Sequence, residues 1–219
     1  SDLGGTGPLR DILAYAPIIQ ALSGFMSLVG YSEDEHLVGE LQAPWSDAVA
    51  AMHAALAAVA AVKYRNQSGY GQSIEVSQLE ATTSMLGEAI LGYQMTNDIP
   101  RPSGNVDPEF CIHDNFPCKG DDEWVALSVQ TDSEWSSFSA AIDAPQWINS
   151  PNFRDQLTRI NNVEELKNPV SQWTSQYSAS EITELMQSYG LAAMPVMNIA
   201  DQFSDPHLSE RQFYVDIDH

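Results

Sequence analysis

The sequence predicts an α/β chain in two parts: a helical portion over residues 1–98 and a smaller α/β domain with a short sheet over residues 99–219. Three observations predict this division. Residues 44–72 read PWSDAVAAMHAALAAVAAVKYRNQSGYGQ, one long apolar helix opened by a carboxylate and closed by a glycine turn. Residues 97–108, NDIPRPSGNVDP, hold three prolines and a glycine, the strongest internal break signal. Beyond it the pattern changes to short strand-like runs alternating with amphipathic helices.

Taken in order, residues 1–9 are glycine-rich with a Gly-Pro step and read as a loop. Residues 11–29 carry helical apolar spacing at Ile12, Tyr15, Ile19, Leu22 and Met26. Pro17 marks the first turn of that helix, because proline is tolerated there and not deeper. Residues 30–44 are acidic and irregular, a surface loop. Ser46 or Asp47 is the expected cap of the next helix. Its many alanines allow close approach of neighbours, so it is expected to lie buried at the centre of a bundle or interface. After a turn over 66–71, residues 73–76 read as a short strand. Ser77 with Glu80 reads as a capping box opening a helix to about Met95.

In the second part, residues 109–117 and 123–130 read as two strands around a KGDD turn. A helix is expected from Asp132 to Ile142, a loop over 150–154, and helices over 163–177 and 179–189. Gly190 is the expected C-cap of the last of these, and residues 194–199 read as an apolar strand before a short helix.

Composition narrows the function. Nine basic residues face 30 acidic ones, a net charge of −21, and only three of the basic residues are lysines. Such a surface repels nucleic acid and anionic membranes, so neither is an expected partner. It fits a protein of a salty habitat or simply a well-solvated one. The apolar run Ala48 to Val62 is too short to span a bilayer and contains His53. No basic segment followed by an apolar core opens the chain, so a cytoplasmic location is expected. Two cysteines, Cys111 and Cys118, are too few for a disulfide framework.

Asp47 is the residue where chemistry is most plausible. A carboxylate at a helix start faces unpaired backbone N–H groups and the positive end of the helix dipole. Most such residues are only caps; the chemical alternative is a nucleophile that forms a covalent acyl intermediate. His53 reads more readily as a satisfied core histidine than as a base. Cys111, His113 and Cys118 match no common zinc spacing, so no metal is expected. SGYGQ does not follow a strand and is no dinucleotide fingerprint, and no Gly-x-Ser-x-Gly elbow is present. Trp124, Trp135, Trp147 and Trp173 read as packing residues.

Taken together, ordered blocks along the whole chain resemble the family III CoA-transferases, the CaiB/BaiF family. GGTGP (4–8) and AYAPIIQALSG (14–24) resemble its opening segment and following helix. SDAVAAMHAALAAVAAVKYRNQSGYGQSIEVSQLEA (46–81) resembles its most recognisable block. GNVDP (104–108), FPCKGDDEWVALSV (116–129), RINNVEEL (159–166) and GLAAMPVMNIADQFSDPHL (190–208) resemble later ones. The resemblance implies the central helices of the family's large domain, followed by its smaller α/β domain.

It also implies chemistry. A carboxylate at the position of Asp47 attacks an acyl-CoA thioester, giving a mixed anhydride and then an aspartyl-CoA thioester from which a carboxylic acid takes the CoA. CoA is a substrate here, and no tightly bound cofactor is implied. CoA contacts are implied at Leu13, Ala14, Tyr15 and Ala16, and His113, in the stretch that stands where the family's flap lies, is a candidate substrate contact. Tyr15 stands where transferases of the family carry Tyr and its racemases carry His, which favours transfer. An acyl-CoA racemase or lyase, and a non-catalytic assembly module, are the alternatives. The family's N-terminal portion and its glycine-rich flap have no counterpart in these residues. The resemblance therefore implies a homodimer, or a partner chain supplying the missing portion.

Overall fold

The structure, a computed structural model, describes residues 1–31 and 45–218. The expected acidic loop over 30–44 lies almost wholly outside the described residues. Among the described residues the chain is α/β in composition: helices with one small antiparallel sheet. It divides into two compact units, residues 1–104 and 105–219, and the division falls within the proline-rich segment 97–108.

In the first unit, helix α1 spans Ala16–Leu22 with Pro17 in its first turn, followed by a single 3₁₀ turn over Phe25–Leu28. Helix α2 spans Trp45–Ser68 and ends where Gly69 takes φ +79, its N–H donating to the Arg65 carbonyl at 2.8 Å. Only glycine reaches that conformation without strain. Helix α3 spans Gln78–Ser84 and helix α4 Gly87–Thr96. The single helix expected from Ser77 to about Met95 is thus two. Thr83 and Ser84 turn their hydroxyls back onto the carbonyls of Leu79 and Ala81, at 2.8 and 2.7 Å. Such back-bonding weakens a helix ahead of Met85 and Gly87. Ser77 does cap α3, its oxygen accepting from the Glu80 N–H at 3.3 Å.

Three expectations need correction here. Helix α2 begins at Trp45, so Ser46 and Asp47 lie inside its first turn and neither is the cap. The helix is 24 residues long, and its length and mean hydropathy of 1.5 would suit a membrane crossing. Alanine rather than leucine supplies that hydropathy, and the first turn is packed against protein, so we read it as a packing helix. Within the described residues it is not buried: Met52, Leu56 and Val59 are 66, 72 and 68% exposed. Only Ser46, Val49 and Ala50 are buried, where α2 meets α3 through Ala81 with Trp45 and Val76 alongside. Lastly, residues 73–76 form no strand. The nitrogen of Ser1 donates to the Val76 carbonyl at 3.0 Å, and Gln78 and Leu79 donate to the Ser1 and Asp2 carbonyls. A pairing this short gives extended chain without a ladder.

The second unit is built on strands β1 (His113–Pro117), β2 (Trp124–Ser128) and β3 (Ala192–Pro195), antiparallel in that order. His113 pairs with Ser128, and Val125 with Pro195. The third strand lies nearer the preceding helix than the 194–199 run suggested. Around the sheet lie α5 (Asp132–Ala141), α6 (Gln156–Asn161), α7 (Val163–Thr174) and α8 (Ala179–Ser188). Helices α9 (Ile199–Ser204) and α10 (Pro206–Glu210) follow β3. The expected loop over 150–154 contains a 3₁₀ turn at Pro151–Phe153. Alternation along β2 turns Val125 and Leu127 inward, onto a core that includes Phe116, Phe138, Leu166, Val170, Ile182 and Met186.

Two features brace this unit. Arg159, 2% exposed, donates to the Phe153 carbonyl at 3.1 Å, pairs with Asp132, and lies 4.7 Å from the Trp135 ring centre. Ser178 and Glu181 form a capping box at the start of α8, and the two bonds from Ser178 hold the Glu181 carboxyl below its ordinary range.

Cys111 and Cys118 are both free and buried, and burial pushes each thiol up to about 11 from an ordinary value near 9. A folded-state value above the unfolded one stabilises below pH 9 and is lost as pH rises through about 11. For Cys111, 2% exposed, two units correspond to roughly 3 kcal/mol. We expect unfolding free energy to fall between pH 9 and 11, and the fall to be shallower in Cys111→Ala. Urea titrations across that range would measure it, and identical pH slopes would contradict it.

Candidate functional site

Asp47 is the third residue of α2, an acid in the first turn where the helix dipole favours negative charge. Its side chain is exposed in this chain, not enclosed as a dry nucleophile would be. One contact orients it: the Gln78 amide donates from Nε2 to Asp47 Oδ1 at 3.1 Å. Gln78 is the first residue of α3, so two helix starts converge on this point. Its backbone N–H is held by the Ser1 carbonyl at 3.0 Å. Below, Val49 and Ala50 of α2 meet Ala81 of α3, and small side chains let the two helices approach. Phe25 packs on Trp45 with ring centres 4.3 Å apart.

Leu13, Ala14, Tyr15 and Ala16 form the entry to α1. Leu13 and Tyr15 are 70 and 68% exposed, and Ala14 is buried. The Ala14 N–H donates to the Asp2 carboxylate at 3.2 Å, so that donor is already engaged. Tyr15 is the extended residue before the helix, and its carbonyl accepts from Ile18 and Ile19.

The burial of four polar groups behind this surface was not predicted from sequence. Gln20 of α1, Ser46 of α2 and Thr82 of α3 are fully buried, and their side-chain polar atoms have no hydrogen-bond partner among the described residues. The indole N–H of Trp45 is likewise unpaired. A glutamine in a helical apolar pattern leaves no sequence signal of burial.

His53 is exposed and is no core histidine. Its Nδ1 lies 2.9 Å from the Val49 carbonyl, the geometry of an Nδ1–H donor that leaves Nε2 as an acceptor. With Glu75, Ser77, Glu80 and Ser84 it lines an open recess of about 360 Å³ that does not include Asp47.

His113 belongs to the second unit. It opens β1, its Nδ1 3.2 Å from the Ser128 hydroxyl across the strand pair. It lines an open recess of about 290 Å³ with Asn105, Asp114 and Met194. Asn105 donates to Asp114 at 2.9 Å, and Lys167 lies 3.5 Å from Asp114 and 3.0 Å from Glu164. Burial alone would lower the Lys167 ammonium, but the two carboxylates outweigh it and raise its pKa. Cys111 and Cys118 point into the core while His113 is exposed, so the three do not converge. Among the described residues no group of three metal-ligating side chains forms.

The sequence profile of CoA-transferase family III matches residues 1–219. The chain is 29% identical over 227 residues to a probable CoA-transferase of Mycobacterium tuberculosis, covering 100% of this chain and 28% of that protein. It is 27% identical over 217 residues to succinyl-CoA–D-citramalate CoA-transferase of Chloroflexus aurantiacus, covering 99% and 53%. It is also 27% identical over 201 residues to succinyl-CoA:mesaconate CoA-transferase of Haloarcula hispanica, covering 92% and 49%. A CaiB/BaiF family protein from Brucella suis superposes with a TM-score of 0.89 at 21% identity, over 99% of this chain and 56% of that one. The chain thus spans about half the length, or less, of these relatives.

Proposed function

The chain belongs to CoA-transferase family III, and from that premise we propose that it carries the nucleophile of an enzyme moving CoA from an acyl-CoA to a carboxylic acid. The Asp47 carboxylate attacks the thioester carbonyl and expels CoA thiolate, leaving a mixed anhydride. The thiolate attacks the aspartyl carbonyl and expels the donor acid, leaving an aspartyl-CoA thioester. The acceptor carboxylate displaces CoA from that thioester, and CoA returns to the new acyl group, freeing Asp47. The single observation that carries this reading is Asp47 in the first turn of α2 with one oxygen held by Gln78.

Asp47 is exposed in this chain, and an anhydride open to water would hydrolyse. The reading therefore requires cover from beyond the described residues, for which further polypeptide or a second subunit is the natural source. The exposed apolar side chains of α2 support it, since a bare face of that kind marks a contact surface. Relatives named as alpha and beta subunits of succinyl-CoA–L-malate CoA-transferase make a partner chain a concrete option beside a homodimer. Leu13 and Tyr15 would then present an apolar edge to the CoA arm.

The exposure of Asp47 also favours one rival, a module that kept the scaffold and lost the site. One experiment separates the two. The protein in its native assembly is incubated with a panel of acyl-CoA donors, succinyl-CoA first, then quenched and mapped by mass spectrometry. A hydroxylamine-sensitive adduct on the peptide containing Asp47 is expected. Its absence with every donor would leave the rival standing.

A further inference from the structure

We propose that the Gln78 amide selects which oxygen of Asp47 attacks, and then serves as the oxyanion donor on the other. This rests on the reading of Asp47 as the nucleophile. Gln78 Nε2 donates to Oδ1 at 3.1 Å, and among the described residues Oδ2 has no hydrogen-bond partner. A carboxylate tied by one oxygen cannot spin about its Cβ–Cγ bond, so Oδ2 is the oxygen presented outward. Gln78 is itself held: its main-chain N–H is bonded to Ser1, it follows the capping Ser77, and α3 is fixed to α2 through Ala81. The residue type matters too. A lysine or arginine in its place would pair with the carboxylate and damp its attack, whereas a neutral amide orients it without cancelling its charge.

Followed through the reaction, the contact has a second use. When Oδ2 bonds to the donor acyl carbon, Oδ1 becomes the carbonyl oxygen of the aspartyl group. CoA thiolate then adds to the aspartyl carbon, and the C=O electron pair moves onto Oδ1. The Nε2–H already points there. Collapse expels the donor acid with Oδ2, and the aspartyl-CoA thioester keeps Oδ1 against Gln78. Attack by the acceptor carboxylate pushes charge onto the same oxygen again, with CoA thiolate leaving. A donor placed in advance where charge develops lowers the barrier at each of these additions.

The test compares Gln78→Leu, which removes the donor, and Gln78→Glu, which keeps the shape but offers no N–H at neutral pH. Both are made in the native assembly with the donor that labels Asp47 and its acceptor acid. Removal of one oxyanion donor predicts a fall in kcat of about 10²-fold, with KM for the donor within about twofold. Formation of aspartyl-CoA in a single turnover should slow in proportion, and thermal unfolding should stay at the wild-type temperature. Gln78→Glu should be at least as slow as Gln78→Leu. Wild-type kcat in both variants overturns the proposal, as does a loss carried by KM or by a lowered unfolding temperature. Asp47→Ala is run in parallel: turnover surviving in it overturns the nucleophile reading itself. Loss in Asp47→Ala with none in the Gln78 variants overturns only the role of Gln78.

Discussion

Asp47→Ala is expected to lower CoA transfer by at least about a thousandfold, which is about 4 kcal/mol of barrier at 1.36 kcal/mol per decade. Under the proposed mechanism the substitution removes the carboxylate that forms the anhydride, and its one described hydrogen-bonding partner cannot replace it. Gln78 is an amide, and His53 lines a recess that does not include Asp47. The fold should not suffer. Asp47 is exposed, alanine is the best helix former, and α2 is held below this residue by Val49 and Ala50. The loss of one first-turn acid costs only about 0.3–1 kcal/mol of dipole interaction. Steady-state transfer from the labelling donor, with circular dichroism as the control for folding, measures both. Transfer within tenfold of wild type would remove Asp47 from the mechanism and leave the family fold without an assigned nucleophile.

Phe138→Ala should be the most damaging single change to the second unit, at about 3–5 kcal/mol. Phe138 is 0% exposed on the inner face of α5, its ring centre 5.8 Å from that of Trp135. It shares the core with Ile182 and Met186 of α8, each also 0% exposed. Removing the ring leaves a cavity between two helices already fixed at other points, by the Arg159–Asp132 pair and by the capping box of Ser178 and Glu181. Collapse into the void is therefore limited. A domain of this size is stable by about 5–15 kcal/mol, so the change takes a large share of the total. The matched control is Leu157→Ala, in the same unit but 68% exposed, expected to stay within about 0.5 kcal/mol. Urea unfolding followed by tryptophan fluorescence compares the two, and equal midpoints would show that this core is not where the unit is held.

Much of the second unit was legible residue by residue. Val125 and Leu127 alternate with exposed neighbours, and Gly190 ends α8 at φ +76; each is a local rule acting on adjacent residues. The first unit was read less well, for a physical reason in each case. The break between α3 and α4 comes from hydroxyls competing for backbone carbonyls, which propensity does not register. Residues 73–76 have strand-like composition, but a strand needs a partner long enough to form a ladder, and among the described residues their backbone bonds only to Ser1, through the Val76 carbonyl. An alanine-rich helix reads as buried, yet alanine is equally at home in water, so composition could not decide which faces of α2 are covered.

The order of residues alone carried the family and placed an acid at the start of an alanine helix. These depend on neighbours in sequence, whose spacing sets helix periods, caps and breaks. Only the tertiary structure decided that Asp47 is exposed and that its one described hydrogen-bonding companion is Gln78, 31 positions further along. That meeting depends on how closely α2 and α3 pack at Ala50 and Ala81, a distance that no local preference encodes.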